Sequence, residues 1–160
     1  MTELNAKKEE ILLAPLTGTV VPLEQVPDPT FAEKMLGDGM AIKPTGDTVV
    51  APCSGMLTLV SDTKHAFALT SDEGLEILIH IGLETVKLAG LGFEQLVEAG
   101  TRVVAGTPIM KVNLGVLEDN NCNAITPMVI TNMEGVKITY TAPLDKCIAG
   151  ETELLKLEID

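Results

Sequence analysis

Short runs rich in Val, Ile, Thr and Leu, each soon broken by one of nine prolines or fourteen glycines, make up most of this chain of 160 residues. Proline removes a backbone donor and glycine favours turns, so such punctuation leaves little room for long helices and suits many short strands. The expected fold is all-β: an antiparallel β-sandwich of hairpin units with short helical turns. Candidate strands lie at 11–14, 18–22, 40–43, 48–51, 55–60, 66–70, 76–81, 108–112, 128–130 and 154–159. Two short helices carry end signals. Asp28 can cap a turn with Pro29 at its first position, running through 31–36 to Gly37, and a second is expected at 93–99, stopped by Gly100. Residues 1–10 read as a short polar tail and 11–160 as a single domain, a size that supports one real core.

Two echoes suggest internal pairing. Ala-Pro-Leu-Thr-Gly at 14–18 returns as Ala-Pro-Cys-Ser-Gly at 51–55, and Ala105-Gly106 before IMKV returns as Ala149-Gly150 before LLKL. They fit pseudo-symmetric hairpins, although Pro and Gly favour the same local frames in unrelated turns.

Eleven Lys and Arg stand against 23 Asp and Glu, a formal net charge of −12, which argues against nucleic acid or an anionic membrane as partner. A neutral or basic protein partner fits better. Cys53, Cys122 and Cys147 are widely spaced, odd in number and without metal-ligand pairing, so reduced thiols and a cytoplasmic setting are expected. No apolar run approaches the roughly 18 residues of a membrane span, and no direct membrane insertion is expected.

The chemistry concentrates on two histidines, His65 in KHAFAL and His80 in EILIHIG. Strand alternation places His65 on a face with Phe67 and Leu69, and His80 with Leu78 and Gly82. If the two segments form a hairpin about Ser71-Asp72-Glu73-Gly74, the histidines fall at the same end of neighbouring strands, within reach of each other. Each alone would read as an ordinary packing residue; together they can form one small site. Apolar neighbours disfavour the protonated ring and keep a lone pair available, which suits a nucleophile. A second imidazole can then donate to the oxygens of a transferred phosphoryl group, and Thr63 can orient that imidazole. Gly82 leaves space beside His80.

At these residues the sequence resembles the glucose-type enzyme IIA components of the bacterial sugar phosphotransferase system. The resemblance runs through VPDPTFAEKMLGDGMAIKPTG (26–46), TKHAF (63–67), SDEGLEILIHIGLETVKLAGLGF (71–93) and TPMVITN (126–132), and extends from about residue 11 to the C-terminus. It implies an antiparallel β-sandwich in which His80 accepts the phosphoryl group, His65 supports it and Thr63 joins their hydrogen-bond network. A histidine-containing phosphocarrier protein would be the donor, and a cysteine of an enzyme IIB domain of a sugar permease the recipient. Asp28, Phe31, Glu84 and Val86 match positions around the family's docking surface, where acidic rim groups speed encounter and apolar contacts supply the rest. Glu84 stands where Asp is common, and Leu78 and Ile81 where Phe is frequent.

No cofactor is required by that reading. Zinc bridging His65 and His80 is the one metal site considered, and a zinc hydrolase using His65, His80 and Glu84 is an alternative function, although no H-E-x-x-H or H-x-H motif is present. A lipoyl- or biotinyl-type carrier displaying Lys64 at a tight turn is another. A purely structural domain, soft-cored with seven methionines, is the third.

Overall fold

A computed structural model of the protein describes residues 8–160. Its strands are β1 (Lys8–Leu13), β2 (Gly18–Pro22), β3 (Asp38–Pro44), β4 (Thr48–Val50), β5 (Gly55–Val60), β6 (Ala66–Ser71), β7 (Glu76–His80), β8 (Phe93–Gln95), β9 (Arg102–Val103), β10 (Pro108–Val112), β11 (Thr126–Ile130), β12 (Val136–Thr141), β13 (Lys146–Cys147) and β14 (Glu153–Ile159). Two short helices, α1 (Pro29–Ala32) and α2 (Leu114–Asp119), and 3-10 turns at Leu23–Gln25 and Thr85–Leu88 complete the described elements.

The strands form an eight-stranded sheet in the order β13-β2-β3-β11-β7-β6-β5-β9 and two three-stranded sheets, β1-β14-β12 and β4-β10-β8. Every pairing is antiparallel, as the all-β reading requires. One core joins all three sheets: Leu12 and Leu157 from the first small sheet, Val49 and Met110 from the second, and Phe67, Ile77 and Ile79 from the large one are buried together. Alternation along the large sheet sends Val21, Ala41, Leu78 and Val129 to its other face. There they meet Leu23, Val26, Phe31, Leu83 and Ile125 in a second, smaller cluster.

The sequence echoes prove to be structural. Leu13 N–H donates to the Pro52 carbonyl and Val50 N–H to that of Pro15, both at 2.8 Å, so the two Ala-Pro segments bond to each other reciprocally. The second echo repeats the relation, with Gly150 N–H on the Ala14 carbonyl at 2.9 Å and Gly106 N–H on that of Ala51 at 2.8 Å. Matching hairpins thus face one another across a local pseudo-twofold.

Several boundaries differ from expectation. Strand β1 begins at Lys8, because Lys8 to Glu10 pair with the end of β14; the rest of the predicted polar tail lies outside the described residues. The helix expected at 93–99 is instead β8 and its continuation: Phe93 is buried, Gln95 and Val97 half-buried, and Glu94, Leu96 and Glu98 exposed, a period of two that satisfies the edge of β10. The first helix has the expected cap, with Asp28 accepting from Thr30 N–H at 3.0 Å and Pro29 at its first position. It nevertheless ends at Ala32 rather than running to Leu36, as Lys34 takes a left-handed φ of 58°. Helix α2, which Asn113 caps through Val116 N–H, and strands β9, β12 and β13 have no counterpart among the expected elements.

Candidate active site: the paired histidines

His80 is the last residue of β7, and Ala66, the first of β6, lies directly opposite it. The hairpin closes through the predicted turn, where Ser71 Oγ accepts from Leu75 N–H at 3.0 Å and Gly74 adopts a φ of 92°. In this register His65 falls opposite Ile81, and strict alternation would send its side chain toward the main core with Phe67. The expected face is wrong for that reason. His65 lies just outside the strand, in a bend that follows Lys64 at a left-handed φ of 62°. Its ring therefore meets the His80 ring edge to face, with centroids 4.9 Å apart and planes at 78°. The sequence brought the two strands together; the break in β6 brings the two rings together.

Each ring is fixed by a partner at Nδ1. His80 Nδ1 lies 2.7 Å from the Gly82 carbonyl oxygen, which can only accept, so Nδ1 carries a proton and the neutral ring keeps its lone pair on Nε2. His65 Nδ1 is 2.6 Å from Thr63 Oγ1, as the sequence reading placed it. A second hydroxyl, Ser61 Oγ, lies 3.4 Å from the same nitrogen and also accepts from Ala66 N–H. Ser61 was not anticipated; its spacing of four from His65 across a tight turn was the available signal.

Both imidazoles are held below the ordinary histidine range. For His80 burial is the main cause, partly opposed by the bond to the Gly82 carbonyl and by the charge of Asp28. For His65 burial acts first and the neighbouring His80 second. The site thus favours neutral rings, the form with a free lone pair.

Of the predicted docking residues, Phe31 and Asp28 lie beside His80, and Glu84 and Val86 stand at the turn that follows β7. Phe31 is buried beneath the site with its ring centroid 5.3 Å from that of His80, and its burial contributes about 2 kcal/mol to holding α1 on the sheet. Asp28 caps α1 beside it. Glu84 is exposed at a left-handed φ of 58°, and Val86, 57% exposed, follows in the Thr85–Leu88 turn. Among the described residues no group of three or more His, Cys, Asp and Glu is placed to hold a metal ion. Two imidazoles fall short of the three protein ligands of a catalytic zinc, so the predicted set of His65, His80 and Glu84 is not assembled as a hydrolase centre. Lys64 is half-buried, and its backbone turn serves to release His65 from β6.

A β-sandwich that presents two neutral, oriented imidazoles in a shallow apolar setting is suited to carrying an electrophilic group on nitrogen. The model of the phosphoenolpyruvate-dependent sugar phosphotransferase system EIIA 1 family matches residues 10–136, and the chain belongs to that family. It is a phosphocarrier of that sugar-uptake system, and no finding supports a hydrolase or a lipoyl-type carrier. It is 41% identical over 150 residues to the glucose-specific EIIA component of Oceanobacillus iheyensis, covering 94% of this chain and 91% of that protein. It is 45% identical over 154 residues to the N-acetylglucosamine-specific EIICBA component of Klebsiella pneumoniae, but spans only 24% of that protein. Among solved structures, the glucose permease IIA of Mycoplasma capricolum matches with a TM-score of 0.86 at 37% identity, covering 93% of this chain and 96% of the other. Among the described residues no helix is long and apolar enough to cross a membrane.

Proposed function

We propose that His80 is the phosphoryl acceptor, reacting through Nε2. The observation that carries this is the bond from Nδ1 to the Gly82 carbonyl, which leaves Nε2 as the ring's only lone pair. In the first step that lone pair bonds to the phosphorus of a phosphohistidine on the donor phosphocarrier protein, and the donor's phosphorus–nitrogen bond breaks. In the second, a thiolate of an enzyme IIB cysteine takes the phosphorus and His80 recovers its lone pair, so no net proton is consumed.

His65 supports the group rather than accepting it. With the Thr63 hydroxyl donating to Nδ1, the neutral ring carries its proton on Nε2 and can donate to a phosphoryl oxygen, where charge builds during transfer. Asp28, Phe31, Glu84 and Val86 form the docking rim, its acidic groups suited to basic partners. The cytoplasm is the compartment in which such a donor and recipient would meet the chain. Relatives named for glucose, glucoside and N-acetylglucosamine are similar to this sequence, and glucose-class permeases are the proposed destination.

The test is labelling by a phosphoenolpyruvate-driven donor. His80→Ala should fold and remain unlabelled, while the native protein gains an acid-labile, base-stable phosphoryl group. Full labelling of the variant would overturn the assignment.

A further inference from the structure

The peptide that fixes the His80 tautomer is itself held by a buried side chain. Beyond β7 the chain turns sharply, with Gly82 at a φ of 73° and Glu84 at 58°. Thr85 closes this turn: fully buried, it donates from Oγ1 to the Ile81 carbonyl at 2.7 Å. Its methyl packs against Gly82, since a Cβ built there would lie only 2.7 Å from Thr85 Cγ2 and 3.0 Å from the Asn123 carbonyl oxygen. Two further bonds pin the same segment, Ile81 N–H to the His65 carbonyl at 2.6 Å and Leu83 N–H to the Asn123 carbonyl at 2.8 Å. Rotation of the 82–83 peptide is the motion that would aim the Gly82 carbonyl away from His80. The Leu83 N–H bond restrains that peptide directly, and the Thr85 bond fixes the 81–82 peptide that precedes Gly82.

We propose that Thr85 is a positioning residue for phosphoryl transfer: its hydroxyl, through Ile81, holds the Gly82 carbonyl on His80 Nδ1 and so keeps the lone pair on Nε2. The proposal rests on His80 being the acceptor. A hydroxyl is required because the Ile81 carbonyl is buried beside apolar side chains and only a donor can satisfy it there. Valine matches threonine in shape and lacks that donor, whereas serine keeps the donor and loses the methyl. The two substitutions therefore separate bonding from packing.

The experiment reads the His80 tautomer by nitrogen-15 NMR in the unphosphorylated protein, together with single-turnover phosphorylation by the donor. Thr85→Val should give a mixture of ring tautomers and lower the rate at saturating donor by roughly tenfold, the scale of one neutral hydrogen bond, with donor KM unchanged. Thr85→Ser should keep the native tautomer and a rate within about twofold of native. If Thr85→Val does not fold, Thr85→Ala removes the same hydroxyl without crowding the turn, and the same loss is expected. A native tautomer in the hydroxyl-free variant, or an equal loss in Thr85→Ser, would overturn the proposal. Because the tautomer is read without any transfer, its outcome is distinct from a failure of the His80 assignment, which would appear as label on another residue.

Discussion

His65 and His80 meet edge to face at 4.9 Å although their positions in the hairpin register point to opposite faces of the sheet. The contact exists because β6 starts at Ala66 and leaves His65 free to turn toward the outer face. The nearby His80 also opposes protonation of His65, which reinforces the effect of burial on that ring.

Separate roles for the rings predict separable defects. In His65→Gln the nucleophile remains, so acceptance from the donor should survive, while transfer onward to an enzyme IIB cysteine should fall by roughly two orders of magnitude, the scale for losing one positioned donor. Single-turnover transfer from pre-phosphorylated protein measures this. Native forward rates would reduce His65 to a packing residue.

The depressed His80 pKa predicts the pH profile of acceptance. An ordinary imidazole would lose its lone pair as pH falls through 6.5, whereas this one should keep accepting below that value and decline only at its lower folded pKa. Stability follows the same window. The histidine contribution is complete above 6.5 and is lost as pH falls, because the unfolded chain takes up protons first. Denaturation curves of the native protein and of a His65→Gln, His80→Gln double variant should diverge in this sense; a shared pH slope would contradict it.

Charge at the rim should act on encounter rather than on chemistry. Asp28→Asn removes the charge yet preserves an oxygen to cap α1, so it separates steering from folding better than reversal to Lys. With Glu84→Gln added, donor association should slow several-fold and lose much of its salt dependence. Stopped-flow association across ionic strengths is the measurement, and unchanged salt sensitivity would place the docking surface elsewhere.

Away from the site, Glu10 predicts a stabilising substitution. Its Oε1 is buried without a hydrogen-bond partner, and burial, opposed by the Ser71 hydroxyl and aided by Glu73 and Asp72, pushes its pKa above 4.5. A raised carboxyl pKa costs stability that sets in as pH rises above the unfolded value of 4.5 and is complete above the raised folded one. Glu10→Gln should therefore raise stability at pH 7, a gain that vanishes below pH 4.5. Thermal unfolding at the two pH values checks this, and a gain that persisted in acid would refute the electrostatic cause.

The sequence by itself determined what depends on neighbours along the chain. Alternating apolar residues and frequent Pro and Gly specified an antiparallel β protein, Asp28-Pro29 specified the start of α1, and the turn at Ser71 to Gly74 specified the hairpin that aligns the two histidine-bearing strands. The Ala-Pro echoes already contained the pseudo-symmetry later expressed as reciprocal backbone bonds. Tertiary structure decided the rest. Phe93 to Ala99 carries a helix-like stop at Gly100, yet β10 offered an edge whose donors and acceptors a strand could satisfy. The orientation of His65 depended on where β6 breaks, and the His80 tautomer on a carbonyl whose direction is set by Thr85 and by Asn123, 41 positions beyond Gly82. Periodicity is a local property and can be read from the chain. The placement of a lone pair depends on hydrogen bonds between segments far apart in sequence, and it exists only once they have packed.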